Sequence, residues 1–491
     1  MPYMNLGDLL RDRGAQHPDA PLLFCRDRAL SYGELNTTTE TLARWFVRQG
    51  LTPGDRIAIQ WPNEIEAVEL YFAAFKAGLI VVPINLRLKP GEIAWILENS
   101  GAKICFSHPL LADAMKQSGA DVLTALPNAA ESDVALPVVD ENSPAVILYT
   151  SGSTGRPKGA VHTHRSLIET ARICTRDFVE NHGTVTNFRG LVITPLMHAS
   201  GIYMLLGSMW IGQPCVLLPL FDPAAVLDAI ENYGCAHMLT LPALMQFILE
   251  EQVKRPRNVR SLMMIFAGGD SVPVALQDRV RELLGVEMLE GLAQTETGPS
   301  ISNPFGAMRM GSIGKVVKGV EVRVLDAHGN DVADGETGEL LVRSPAVCAG
   351  YWGNAAATAE SLQNGWFHTG DLVSRDADGY FWFQGRKKEI IIRGGSNISP
   401  QEVEEALYRH PEILEAGVVG MPHPVWGEQV VAFVALRDGG AAEEEAIRSH
   451  AREHLADYKV PEKVHFMPVL PKGATGKVHR KALKDELLKK T

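Results

Sequence analysis

The sequence predicts an α/β fold: a large N-terminal region of several α/β subdomains ending in a β-rich subdomain, then a small α+β domain. Three observations carry this. Short apolar runs alternate with amphipathic stretches along the first part of the chain, the pattern turns to strands and tight turns from about residue 311, and a separately patterned unit of roughly 100 residues follows a charged segment at 385–388.

The elements follow in order. SYGELNTTTETLARWFVRQG (31–50) reads as a capped amphipathic helix, RIAIQW (56–61) as a strand, EIEAVELYFAAFKAG (64–78) as a helix and LIVVPI (79–84) as a strand. The alternation returns at ILENSGAKICFS (96–107), at PCVLLP (214–219) followed by PAAVLDAIENYG (223–234), and at SLMMIFAGG (261–269) followed by QDRVRELLG (277–285). Such layering implies a mainly parallel sheet covered by helices. VEVRVLDAHGNDVADGETGELLVRS (320–344) then shows period-two apolar positions around the DAHGN and DGETG turns, the mark of a β-rich subdomain. Beyond GYFWFQGRKKEIIIRGG (379–395) come a helix at 400–410, strands at 415–420 and 430–436, a helix at 441–456 and a polar, basic tail. The expected boundaries are 1–384 for the large domain, 385–388 for a hinge and 389–491 for the small domain.

Composition describes an ordinary folded protein: 491 residues, 46% hydrophobic and 21% charged. Net charge is −11, from 47 basic and 58 acidic residues, which disfavours non-specific binding to nucleic acid or anionic membrane while leaving room for a local phosphate pocket. The N-terminal residues carry acids and no continuous apolar run, so no secretory signal is expected, and the most apolar stretch is interrupted by Lys76, Gly78 and Pro83. The six cysteines form no C-x-x-C pair and read as reduced, buried thiols. A cytoplasmic protein without nucleic-acid or integral membrane contacts is expected, and a homodimer is left open.

One stretch demands a ligand. YTSGSTGRPKGAVHTH (149–164) crowds hydroxyls, glycines, Arg156 and Lys158 together directly after an apolar run, a composition suited to wrapping an anion. It is not the G-x-x-x-x-G-K-[ST] phosphate loop, since Pro157 precedes Lys158; GATGKV fails likewise, with Pro471 where the first glycine belongs. Convergent backbone N–H groups, the hydroxyls of Ser151, Ser153 and Thr154, the freedom of Gly152 and Gly155, and the Lys158 charge still describe a triphosphate cradle.

TSGSTGRPKG (150–159) resembles the signature of the adenylate-forming superfamily of acyl-CoA synthetases, adenylation domains and luciferases. PLMHASG (195–201), AQTET (293–297), GELLVRSPAVCAGYWGN (338–354), WFHTGD (366–371), GRKKEIIIRGGSNISPQEVE (385–404) and PKGATGKVHR (471–480) are similar to its other motifs in the same order along essentially the whole chain. The resemblance implies a large α/β domain hinged to a small mobile one, and an acid–thiol ligase that makes an acyl-adenylate from a carboxylic acid and ATP and passes the acyl group to coenzyme A. It implies ATP and coenzyme A as co-substrates and Mg2+ as the metal.

Carried over residue by residue, Asp371 and Arg386 would hold the ribose, Glu296 with Thr154 the magnesium, and Lys477 the charge gathering between carboxylate and α-phosphate. Lys388 would mark the hinge, Gly394 and Gly395 would approach the thiol's arm, and His198 would border the acyl site and gate the thiol channel. The nucleotide site would further include Gly269, Asp270, Gly291, Leu292, Ala293, Gln294 and Thr295. The acyl pocket would be lined by Met197, His198, Ala199, Ser200, Gly201, Met204, Gly268 and Ala293.

Two departures stand out. Leu292 and Ala293 replace an aromatic residue and a glycine, so a leucine is expected against the purine face and an added methyl near the acyl pocket. AGGDSVP (267–273) replaces a G-G-A-P turn and directs Asp270 toward the adenine edge. The candidate lining holds no Arg or Lys, which favours a fatty or aromatic monocarboxylic acid over a dicarboxylate. Three rivals share the adenylation half: a module loading a carrier protein, distinguished by the absence of coenzyme A-dependent AMP release; a luciferase-like oxygenase, by light; and a nucleotide-binding regulator, by failure to exchange pyrophosphate. His450 and His454 in SHAREH have helical i, i+4 spacing but lack the H-E-x-x-H glutamate, with Ala451 in its place, and read as a solvated helix face.

Overall fold

A computed structural model of the chain describes residues 5–128, 132–150, 156–182, 188–270, 272–437, 439–473 and 477–488. Among these residues the strands form four sheets. Where the sequence implied one mainly parallel sheet, the large domain has two. The first runs, edge to edge, Val122–Leu123, Ile104–Ser107, Arg56–Gln60, Ile80–Pro83, Pro144–Thr150 and Lys158–Thr163, parallel except for the last pair. The second, of nine strands, has a parallel centre that includes Arg189–Val192, Cys235–Thr240, Met264–Ala267 and Met288–Gln294, and turns antiparallel at Gly298–Ser302.

The helix Ile65–Lys76 shows why there are two. It is apolar nearly all round and every residue except Glu66 is buried, so it needs a covering layer on more than one side. Its Phe72, Phe75 and Leu70 share one core with Ile57 and Val146 of the first sheet, Val192 and Leu217 of the second, and the helices Tyr32–Arg48 and Ala199–Trp210. Tyr32–Arg48 begins with a capping box in which Ser31 accepts from Glu34 N–H and Glu34 accepts from Ser31 N–H.

The β-rich subdomain pairs Glu321–Leu325, Thr337–Arg343, Trp366–Arg375 and Phe381–Arg386 in antiparallel fashion over a core of Leu340, Val342, Val373 and Phe381. Gly385 and Arg386 still belong to its last strand, opposite Leu372 and Asp371, and Lys387 and Lys388 follow it. The small domain then builds a sheet from Ile391–Arg393, Ser396–Ile398, Ile413–His423, Gly427–Leu436 and Lys463–Phe466, covered by the helices Pro400–Tyr408 and Glu444–His454. All six cysteines are free, and all but Cys174 are buried.

Candidate active site

The site grows from the end of strand Met288–Gln294. At Gly291 a Cβ would stand 2.8 Å from the Ile301 carbonyl oxygen, so only glycine lets the antiparallel neighbour lie this close. The register slips between Leu292 and Ala293, leaving Ala293 exposed. Leu292 is 8% exposed and packs with Ile301, Ile313 and Leu340 in the core of the β-rich subdomain. Gln294 Nε2 donates to Asp371 Oδ2 at 2.7 Å and to the Thr369 carbonyl at 3.0 Å. The Thr295 carbonyl accepts from Tyr203 Oη at 3.1 Å and lies 2.7 Å from His162 Nε2. Burial pushes His162 down to about 4, partly offset by that bond, so the ring is neutral and donates.

Glu296 follows, its Oε1 accepting from Tyr351 Oη at 3.0 Å and Thr150 Oγ1 at 3.3 Å. Thr150 closes the strand Pro144–Thr150 and pairs with Lys158, the first residue of the returning strand. Lys158 Nζ lies 5.0 Å from the centre of the Tyr351 ring. The hydroxyl-and-glycine loop between them, Ser151, Gly152, Ser153, Thr154 and Gly155, lies outside the described residues. Its frame is described, and it sets Glu296, Tyr351 and Lys158 at the loop's two feet.

Asp371 stands opposite Arg386 on adjacent strands. Its side chain is nearly inaccessible, Arg386 Nε lies 3.0 Å from Oδ1, and Oδ1 nonetheless has no hydrogen-bond partner among the described residues. Burial raises the carboxyl's pKa, opposed by the Arg386 charge and the Gln294 bond. A buried carboxylate oxygen left without a donor fits a ligand hydroxyl, and the second oxygen is already oriented by Gln294.

Lys477 arrives from the small domain on a turn closed by Gly473 N–H donating to the Lys477 carbonyl. Gly269, at φ +89°, meets it: a Cβ there would lie 3.4 Å from Lys477 Cε. Burial and then Arg386 lower the lysine's pKa, with Asp270 and Asp371 pulling it back up. His198 feels the same ammonium. It caps helix Ala199–Trp210, its Nε2 lies 3.2 Å from Asn85 Nδ2, and burial, Lys477 and Arg87 together push it down to about 4. His198, Gly269, Asp371, Arg386 and Lys477 thus gather from both domains.

Other expected residues stand elsewhere. Asp270 is exposed toward the domain junction, lining a cavity with Glu404, Lys472, Lys477 and Arg480. Met197, Ala199 and Ser200 are half-buried at the helix start. Gly201 is packed beneath Pro195, whose carbonyl oxygen a Cβ would meet at 2.3 Å, and Met204 belongs to the large core, so these two shape the wall from behind. Gly268 faces the Gly291 carbonyl. Lys388 is exposed, and Gly394 and Gly395 form an exposed turn beside Trp426, apart from the Lys477 cluster. Sequence reading passed over Tyr351 and His162, although they sit within the quoted GYWGN and 149–164 runs, and Tyr203, which no motif marks.

With the geometry in hand, comparison with known proteins is direct. The AMP-binding enzyme family matches residues 10–352, and the AMP-binding enzyme C-terminal domain matches residues 402–477. A sulfoacetate–CoA ligase of Cupriavidus necator is 34% identical over 97% of both chains, and a feruloyl-CoA synthase of an Amycolatopsis species is 36% identical over 97% of this chain and 98% of that one. Among solved structures, an anthranilate CoA ligase bound to anthranoyl-AMP superposes with a TM-score of 0.92 at 27% identity, covering 100% of this chain and 98% of that one. An o-succinylbenzoate CoA synthetase of Bacillus subtilis holding its acyl-adenylate gives 0.89 at 28%, covering 98% and 99%. With both domains matched in order, the chain belongs to the AMP-binding enzyme family and to its acid–CoA ligase branch.

Proposed function

We propose that this AMP-forming acid–thiol ligase joins an aromatic or apolar monocarboxylic acid to coenzyme A in two steps. First, a carboxylate oxygen of the acid bonds to the α-phosphorus of ATP while the bond from that phosphorus to the bridging oxygen breaks, giving acyl-AMP and pyrophosphate. Second, the thiol sulfur bonds to the acyl carbon, the bond from that carbon to the AMP oxygen breaks, and the thiol proton passes to solvent.

The observation that carries this reading is the placement of Lys477 against Gly269, within the electrostatic reach of His198 and Asp371. A partly desolvated ammonium there opposes the negative charge that builds as carboxylate and phosphate meet, and it acts more strongly than it would in water. Asp371 offers its unpartnered Oδ1 to a ribose hydroxyl, and Arg386 steadies the carboxylate. Lys158 and the 151–155 segment would hold the phosphates, and Glu296 with Thr154 would hold magnesium, which when bound neutralises phosphate charge. Neutral His198 fits a wall of the acyl site, since a charged ring beside Lys477 would repel it.

For the second step the small domain would turn about Lys387 and Lys388, withdrawing Lys477 and bringing in the exposed turn at Gly394 and Gly395 for the thiol's arm. An apolar acid is supported by the cluster in which Met264, Phe266 and Leu289, on the strands that lead into Gly268 and Ala293, pack with Phe188, Phe305 and Met308. ATP and coenzyme A as co-substrates support a cytoplasmic setting, and no helix among the described residues is long and apolar enough to cross a membrane.

A panel of straight-chain, benzoic, cinnamic and indole acids, scored for pyrophosphate release and then for AMP release on adding coenzyme A, tests the assignment. Aromatic acids are expected to lead. Adenylation followed by transfer only to a holo carrier protein, with no AMP release on coenzyme A, refutes it in favour of carrier loading, the activity named for a 30% identical Streptomyces coeruleorubidus relative.

A further inference from the structure

The small domain carries a cluster that the ligase chemistry leaves unused. In helix Glu444–His454, the segment His450-Ala451-Arg452-Glu453-His454 reads H-x-x-E-H, the reverse of the H-E-x-x-H order, and it sets two imidazoles and a carboxylate on adjoining turns of one face. One ligand atom from each of the three lies within 4.8 Å of the others. A tetrahedral divalent ion with bonds of about 2.0–2.1 Å separates its donors by about 3.4 Å, so rotation of the exposed Glu453 and His454 side chains closes the gap.

Independent details point the same way. The Nε2 atom of His450 is buried and has no hydrogen-bond partner among the described residues. A metal-binding imidazole needs a ring nitrogen of this kind, not engaged by another protein group. His410, at the end of the neighbouring helix, packs edge-on against His450 with ring centres 5.1 Å apart, and His454 packs on it at 4.8 Å. His410 Nδ1 accepts from Glu412 N–H, so His410 serves as a positioning residue for the His450 ring. Arg452, within the same segment, is held in an ion pair with Glu445. The cluster occupies the last turn of its helix, where unpaired carbonyls favour a positive charge.

We propose that His450, Glu453 and His454 bind a divalent transition-metal ion of the zinc and nickel class on the small domain. Imidazole with one carboxylate suits those ions better than magnesium or calcium, and three protein donors leave one position for water. The ion would stitch the end of helix Glu444–His454 into one rigid face, a role separate from the ATP-site magnesium and independent of the acid used.

Isothermal titration of the full, chelator-treated chain with zinc chloride, at millimolar magnesium, tests this. About one equivalent is expected to bind, with cobalt giving visible absorption of nitrogen-ligated Co2+. His450→Ala and His454→Ala should each weaken zinc binding about 100-fold or more, while His410→Phe, which keeps the ring against His450, should lose at most about tenfold. Zinc should raise the melting temperature of the wild type and not of His450→Ala. Unchanged zinc affinity in both His→Ala variants, each with wild-type circular dichroism, overturns the site. So does saturation of the wild type by magnesium in place of zinc.

Discussion

The two sides of the active site are built in opposite ways. On the large-domain side, Asp371 lies on a paired strand, its register against Arg386 set by the ladder and its Oδ2 held by Gln294 from another sheet. On the small-domain side, Lys477 sits on a turn closed, among the described residues, by Gly473 N–H to the Lys477 carbonyl, the Lys472–Val478 bridge and His479 N–H to the Pro471 carbonyl. The groups proposed to bind a nucleotide through both half-reactions are fixed by sheets, and the charge proposed for only one is carried on a turn of the small domain. The difference teaches that the proposed alternation goes with local support, a wide ladder under the large-domain groups and a narrow hairpin under Lys477.

The largest effect should come from removing the withdrawn charge. Lys477→Ala is expected to slow adenylation by about 10²–10³-fold, the scale set by loss of one preorganised charge-stabilising donor, while coenzyme A still converts supplied acyl-adenylate at near the wild-type rate. Single-turnover assays of the two halves measure the split, and equal loss in both would sink the comparison. The pH profile sharpens it. Because burial lowers the Lys477 pKa, the cation disappears as pH rises through a value below the ordinary 10.5, so adenylation should fall on an alkaline limb that the thioester half does not share. In Lys477→Arg, whose guanidinium keeps its proton, any residual activity should lose that limb.

Next in size is the fixed side. Asp371→Asn keeps the shape and removes the charge, and a hydrogen bond to a charged group is worth about 1.5–3 kcal/mol, so the KM for ATP should rise roughly tenfold or more with the KM for the acid little changed. Both half-reactions should weaken in nucleotide affinity, in contrast with Lys477→Ala. A variant whose ATP constant stays at the wild-type value would remove Asp371 from the ribose.

Much of this was legible in the sequence, and the failures have a physical pattern. Helical spacing and short apolar runs located Tyr32–Arg48, Ile65–Lys76 and the parallel strands, because burial of one face leaves a period in the sequence. Asp371, Glu296 and Lys477 stood in runs whose chemistry was readable. The burial of Leu292 and exposure of Ala293 follow from the register slip between them, and alternation alone does not reveal a bulge. The cavity that Asp270 lines with Lys477 and Arg480 is beyond any local pattern, because distant segments of the chain meet there. Tyr351 reaches Glu296 only because residues 348–352 pair along the strand Lys158–Thr163, a contact between distant segments.

The smallest expected effect lies where the two sides touch. Helix Val274–Leu284 of the large domain starts at Pro273 with no side-chain cap of its own, and Glu405 of the small domain supplies one, its Oε1 accepting from Val274 N–H at 3.4 Å. A carboxylate at a helix N-terminus is worth about 0.3–1 kcal/mol, and it is available only while the domains are docked as seen here. Glu405→Gln should therefore shift the balance of domain arrangements by about two- to fivefold, slowing adenylation by that factor and leaving thioester formation from supplied acyl-adenylate unchanged or slightly faster. Burial raises the Glu405 pKa, so the carboxylate protonates at higher pH than an exposed glutamate and the wild type should approach the variant's behaviour as pH falls toward the acid range. If the variant slows both halves alike, Glu405 supports only the fold of its own helix, and the docked arrangement draws nothing from that cap.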